Sequence, residues 1–257
     1  MGELWFVGLG LSDERGLSER ALDVLRACDR VFAEEYTAIA APGTLDRLTE
    51  RVQRPIERLD RPLLESERPI LDALQRVPRV ALLVVGDPFA ATTHVALRLA
   101  AEGAGHTWRY VPNASILTAA PGFLGLMHYR FGRAVSLPFP TPDFRPTSPF
   151  EQIAANRSRG LHTLLLLDLQ PEVGRYMTAG MALQLLGAVD PTVSGLAPDA
   201  SVAVAARVGV ESAQGWFGPM DRLASLDFGP PLHVVVVPGD LHFQEAAALE
   251  RYRYPGP

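Results

Sequence analysis

Val80-Ala81-Leu82-Leu83-Val84-Val85-Gly86-Asp87-Pro88 decides the fold. An apolar, β-branched run cut off by Gly-Asp-Pro reads as a central strand buried on both faces, which requires helices above and below it. A helix over about Thr92–Glu102, ended by Gly103, is expected beyond the turn. Working back toward the N-terminus, short apolar runs alternate with amphipathic stretches. The reading is a helix at Ile70–Val77, a strand at Pro55–Leu59, a helix at Thr44–Val52 capped by Thr44, and a strand at Val31–Ala33. The first helix has Ser18 as N-cap, a Leu17–Leu22 staple and a stripe of Ala21, Leu22 and Leu25. The first strand, Leu4–Val7, runs into Gly8-Leu9-Gly10 and a polar turn.

Working forward, Trp108–Pro112 reads as the last strand of a first domain, followed by a helix at Ser115–Leu126 that Pro121-Gly122 should kink or break. The proline-dense stretch Leu137–Pro149 reads as an extended surface loop. A second series then follows: a strand at His162–Leu169, a helix at Thr178–Leu186, strands at Ser201–Ala206 and Leu232–Val237, and a helix at Glu245–Tyr252. This is an α/β pattern with mostly parallel strands, divided into domains 1–112 and 113–257.

Composition excludes several classes. With 47% hydrophobic and 21% charged residues, the chain is an ordinary globular protein. A net charge of −5 offers nucleic acid no basic domain. No apolar run approaches the ~20 residues needed to cross a bilayer. Cys28 is the single cysteine, so neither an internal disulfide nor a cysteine metal cluster is possible. These features predict a cytoplasmic protein without membrane or direct nucleic-acid contact. The chain has no lysine, which rules out Schiff-base and P-loop chemistry. The bias reads first as a GC-rich coding preference and second as arginine surface pairing in a heat-adapted protein.

The candidate chemistry sits at strand ends. Gly8-Leu9-Gly10 follows the first strand, but Asp13 occupies the place of the third glycine of a dinucleotide fingerprint, and its carboxylate would face a pyrophosphate. The alternative for this segment is a tight turn. Gly86-Asp87-Pro88 sets a carboxylate beside backbone amides, where a polar, partly cationic ligand can be held; otherwise Asp87 only caps its turn. Asp168 ends the strand that begins at His162, in the position of a cleft-lining acid. No histidine pair has ligand spacing, so no metal site is expected, and no hydrolase nucleophile motif is present.

Leu4-Trp-Phe-Val-Gly-Leu-Gly-Leu-Ser-Asp-Glu-Arg, Val31-Phe-Ala-Glu-Glu-Tyr-Thr, Gly86-Asp-Pro-Phe-Ala-Ala-Thr-Thr-His and Ser115-Ile-Leu-Thr-Ala-Ala-Pro-Gly resemble, in order, segments of the diphthine synthases. These are a family of the tetrapyrrole-methylase-like (class III) methyltransferases. The resemblance continues through Tyr129-Arg-Phe-Gly, Gly160-Leu-His-Thr-Leu, Arg175-Tyr-Met-Thr-Ala, Pro231-Leu-His and Pro238-Gly-Asp-Leu-His-Phe, nearly spanning the chain. It implies two unequal α/β domains with a cofactor cleft between them, a homodimer, and S-adenosyl-L-methionine as donor, released as S-adenosyl-L-homocysteine. It places Leu11, Asp87, Ala90, Ser115, Ile116, Leu167, Val208 and His233 on the cofactor.

The implied substrate is translation elongation factor 2, whose 3-amino-3-carboxypropyl-histidine is methylated stepwise on its amino group. Asp168 or Glu34 would be candidate proton acceptors. Four places depart from the family pattern: Ala90 replaces a usual valine, Asn113-Ala114 a usual Gly-Pro, Gly180-Met181 a usual Asn-Glu, and Ala206-Arg-Val-Gly continues into Val210-Glu211 instead of a serine. The competing readings are a tetrapyrrole (precorrin-type) C-methyltransferase, a non-catalytic S-adenosylmethionine-binding protein and, weakened by Asp13, an NAD-dependent oxidoreductase.

Overall fold

The computed structural model describes residues 1–34, 36, 38–141 and 147–254. Glu35 and Thr37 of the quoted motifs, and 142–146 of the proline-rich stretch, lie outside the described residues. The chain divides into two units, 1–116 and 117–257.

In the first unit the elements are β1 (Glu3–Gly8), α1 (Glu19–Ala27), β2 (Arg30–Glu34), α2 (Thr44–Val52), β3 (Ile56–Leu59), α3 (Arg61–Glu65), α4 (Arg68–Arg76), β4 (Arg79–Val84), α5 (Val95–Gly103) and β5 (Thr107–Val111). The strands form one sheet in the order β3-β2-β4-β1-β5. Every pairing in it is parallel. From Val80 to Val84, β4 is wholly buried, as a central strand with helices on both faces must be. One face packs α1 and α2 through Leu22, Leu25, Leu45 and Leu48. The other packs α3, α4 and α5 around Phe6, Phe32, Leu64, Ile70 and Leu97.

Ser18 caps α1 by accepting from the Ala21 amide, and Leu17 and Leu22 are both buried, as expected. Two termini differ. Gly43, not Thr44, is the N-cap of α2, at φ 74°, and Thr44 is buried inside the helix. Gly103 is the last residue of α5, and the left-handed turn falls at Gly105. The short α3 was not expected, because its five residues show too little periodicity to read.

α6 (Ile116–Leu124) starts at the junction of the units, and the second unit continues with β6 (Val135–Leu137), α7 (Ser148–Arg157), β7 (Thr163–Leu167), β8 (Leu169–Gln170), β9 (Arg175–Tyr176), α8 (Ala179–Gly187), α9 (Pro191–Ser194), β10 (Ser201–Ala206), β11 (Gln214–Pro219), α10 (Met220–Leu223), β12 (His233–Val237) and α11 (Phe243–Leu249). Its main sheet has the order β11-β10-β12-β7-β6, and β8 and β9 form a separate hairpin. Here the expectation of mostly parallel strands is corrected: β10 pairs antiparallel with β11 and β12, β12 pairs antiparallel with β7, and only β6–β7 is parallel. Burial on both faces gives antiparallel and parallel strands the same apolar runs, so hydropathy alone cannot separate them.

Pro121-Gly122 was expected to kink or break α6; the helix is not broken and runs through both. A proline removes one backbone donor, and the burial of Ala120, Pro121 and Leu124 offsets that single loss. The proline-dense stretch is not all surface loop: Leu137 belongs to β6, and Phe139 is buried. No helix among the described residues is long and apolar enough to cross a membrane.

Candidate functional site

In an open parallel sheet ligands bind beyond the carboxyl ends of the strands. In the first unit Gly8-Leu9-Gly10 follows β1, Gly86-Asp87-Pro88 follows β4 and Asn113-Ala114-Ser115 follows β5. The first two turns meet directly: the Gly10 amide donates to the Gly86 carbonyl at 3.2 Å, and the Gly86 amide to the Gly10 carbonyl at 2.8 Å. Gly86 holds this contact at φ 81°, and a Cβ there would have only the Ala114 carbonyl as neighbour, at 3.9 Å. Gly8 is required for closeness, since a Cβ would lie 2.6 Å from that of Asn113.

Asp87 binds the turns together. Its Oδ1 accepts from the Phe89 amide at 3.0 Å, while its Oδ2 accepts from the Asn113 amide at 3.2 Å and from the Tyr110 hydroxyl. Burial, and next the adjacent carboxylate, hold the Tyr110 phenol above its usual range, so it stays a donor. Asn113 adds a second tie, donating to the carbonyls of Gly8 at 2.9 Å and Gly16 at 3.0 Å. Asn113 and Tyr110 escaped the sequence reading. Tyr110 looks like any aromatic in a strand, whereas Asn113 was visible as a departure whose role needed the fold.

The rim that remains is small and half-open: Leu11, Asp87, Ala90 and Ser115 are half-buried and Ala91 is exposed. Ala90, Ala91 and Ser115 are small, so a nucleoside with a short polar tail can approach these turns closely. The residues present fit S-adenosylmethionine on that ground. A dinucleotide fits poorly, because Asp13 faces Arg15 at 3.0 Å and α1 starts only at Glu19. The Arg15 hydrogen bond is the main reason that the Asp13 carboxyl stays below its usual range.

Glu34, the last residue of β2, is 1% exposed. Its Oε2 lies 4.0 Å from Nε2 of the equally buried His94. Nδ1 of His94 faces the Pro88 carbonyl at 2.7 Å; since a carbonyl only accepts, Nδ1 carries the proton. Burial depresses the His94 pKa, and the ring is neutral. His94 and the Thr92 hydroxyl, at 2.6 Å, together fix the Pro88 carbonyl behind the turn.

In the second unit Leu167 ends β7, Val208 follows β10, and His233 begins β12, all at one end of the sheet because β12 runs opposite to the other two. His233 accepts the Ala179 amide at Nδ1 (3.1 Å) and donates from Nε2 to the Pro230 carbonyl (3.0 Å). Burial lowers its pKa, so it is a neutral scaffold for the start of α8. Arg207 was not singled out by sequence, yet its guanidinium donates to the carbonyls of Ser212, Phe228 and Pro230 and pins the loop carrying Val208. Asp168 is half-buried between β7 and β8, with Oδ2 accepting from the Phe139 amide at 3.0 Å and the Gln170 amide group at 3.3 Å.

Residues 3–224 match the model of the tetrapyrrole (corrin/porphyrin) methylases. The diphthine synthase of Methanothermobacter thermautotrophicus is 41% identical over 251 residues, covering 96% of this chain and 94% of that protein. That of Methanocella arvoryzae is 38% identical over 251 residues, covering 96% of each. A crystal structure of diphthine synthase superposes with a TM-score of 0.87 at 35% identity, covering 98% of this chain and 96% of that one.

Proposed function

The chain belongs to the tetrapyrrole methylases and, within them, to the diphthine synthases, and from that premise we propose which residues serve the methyl transfer. S-adenosylmethionine supplies an activated methyl on a sulfonium, so the protein's work is alignment and exclusion of water. Leu11, Asp87, Ala90, Ser115 and Ile116 on the first unit, and Leu167, Val208 and His233 on the second, contact the donor. Asp87 acts through its turn, since both of its oxygens already accept hydrogen bonds. The acceptor is the amino group of the 3-amino-3-carboxypropyl-histidine of elongation factor 2. It must be neutral to attack, and Asp168 takes its proton in this reading, directly or through water. Glu34 is too deeply buried to meet a protein substrate and supports the Gly86–Ala90 turn from behind instead.

The observation that carries this reading is the closure of three strand-end turns around Asp87 and Asn113. The enzyme acts as a cytoplasmic homodimer, without nucleic acid or membrane. Incubating the protein with labelled donor and elongation factor carrying the aminocarboxypropyl group, then weighing the modified peptide by mass spectrometry, tests it. Mass gains in whole methyl steps at the modified histidine are expected; an unchanged peptide with donor bound would overturn it.

A further inference from the structure

The β8–β9 hairpin directly follows β7, and it sets two opposite charges on one face. Gln170 and Arg175 are register partners, so their side chains share a face, and Asp168, two residues before Gln170, shares it too. The Gln170 amide reaches Asp168 Oδ2, as this placement requires. The carboxylate is fixed through that one oxygen by Phe139 and Gln170. The guanidinium is fixed differently: Arg175 lies over the Phe139 ring with its Cζ 3.7 Å from the centroid.

Stacking uses the flat face of a guanidinium and leaves its in-plane N–H donors free for an anion. Among the described residues the Arg175 guanidinium is held by the Phe139 ring and by no ion pair. Phe139, itself buried, thus carries the guanidinium on its ring and the carboxylate on its amide. A small zwitterion with a carboxylate and an amine on one carbon presents the complementary pair of charges.

We infer that this face of the hairpin is a subsite for an α-amino-acid headgroup, Arg175 taking its carboxylate and Asp168 its amine. It rests on the proposed reaction, in which the acceptor side chain and the methionine portion of the donor both end in an aminocarboxypropyl group. The shared chemistry is that headgroup, and experiment separates the two sources.

Arg175→Met keeps an apolar stem over Phe139 and removes the cation. Asp168→Asn keeps an acceptor for the Phe139 amide and removes the anion. Arg175→Lys retains charge without the planar fork. Thermal melting of each is expected to match the parent. Methyl transfer is then measured against varied elongation factor at saturating donor, and donor affinity by calorimetry. About a tenfold or greater rise in KM for elongation factor in Arg175→Met and Asp168→Asn, with donor affinity unchanged and partial recovery in Arg175→Lys, assigns the subsite to the acceptor. A comparable loss of donor affinity assigns it to the donor. Values within about twofold of the parent for both ligands overturn the subsite. If the parent protein itself leaves elongation factor unmodified, the proposed substrate fails, and calorimetry alone decides: unchanged donor affinity in both variants then overturns the subsite as well.

Discussion

The two ends of the second sheet carry the same device to different purposes. At one end His162 is buried, accepts the Gly239 amide at Nδ1 (2.9 Å) and faces an acceptor through Nε2. At the other end His233 does the same with the Ala179 amide. The difference is the acceptor. His233 meets a carbonyl, whereas His162 meets the Glu245 carboxylate at 3.2 Å. Glu245 is wholly buried and also accepts from the amides of Met127 (2.9 Å) and His242 (2.8 Å), with Arg130 as its counter-ion at 3.2 Å. Burial opposes its ionisation, but the two amides and His162 outweigh that and hold its pKa below the usual range. The His162 end is a charge network around the buried Glu245, built by Tyr129-Arg-Phe-Gly, Gly160-Leu-His and Pro238-Gly-Asp-Leu-His, with Arg130 partly exposed at its edge. The His233 end opens onto half-buried Asp168 and Val208. Family-like motifs thus fall on both ends, and only the consumption of polar capacity separates the scaffold from the site.

The sharpest way to break this contrast is Glu245→Ala. It strips the acceptor from two amides and His162 and leaves Arg130 without its carboxylate. Arg130 is partly exposed and can be solvated, but each buried donor left without its acceptor costs about 1–3 kcal/mol, which should appear as a large drop in the urea midpoint. Folded protein at low temperature should still bind donor normally. A loss below about 1 kcal/mol would mean that the network is not the scaffold it resembles.

Asp87 resembles Glu245 in having its oxygens occupied, but it sits in a half-open turn of the first unit. Asp87→Ala releases the Phe89 and Asn113 amides and the Tyr110 hydroxyl, and the turn loses its shape. Donor affinity should fall more than tenfold, about 1.4 kcal/mol or more, with a smaller change in stability. Calorimetry showing parental affinity would remove the turn from the site.

Much of this was legible in the amino-acid order because strand ends in an α/β sheet are marked by glycine and acidic turns. The turns after β1 and β4 could be placed before any contact was known. What joins them could not: Asn113 reaches Gly8 and Gly16 across long chain separations, and Tyr110 meets Asp87 only once β5 has aligned beside β1. Strand direction in the second unit was hidden for a different reason. Val234–Val237 and Leu164–Leu167 are equally apolar whichever way they run, and their antiparallel pairing decides that His233 stands at the same end as Leu167. Glu245 read only as the start of a helix, since the residues that meet it, Arg130 and His162, are far away in sequence.

Asn113→Gly makes a smaller test of the same comparison. The amide bridge to the Gly8 and Gly16 carbonyls is lost, but no charge is stranded. A loss of about 1 kcal/mol in stability and a several-fold weakening of donor binding are expected. Equal donor affinity in both proteins would confine Asn113 to the scaffold.

The gentlest probe is pH, and it reads both ends together. His94, His162 and His233 are each held below the ordinary imidazole value, burial being the largest cause in every case. The unfolded chain therefore binds protons that the native chain refuses, and stability rises with pH through that window. The histidine contribution is complete above about pH 6.5 and declines as pH falls toward the lowered native values. Glu245 has the same sign in a lower window: with its native pKa depressed, its contribution is present above the usual carboxylate range and lost as acid reaches it. Urea midpoints taken from about pH 8 down to about pH 2.5 should fall in two stages. His233→Asn should flatten only the upper stage, because His233 hydrogen-bonds a carbonyl and an amide rather than a carboxylate. Glu245→Gln should flatten the lower stage and, by removing the charge that favours imidazolium at His162, steepen the upper one. Identical profiles for the two variants would show that the ends differ in sequence but not in electrostatics.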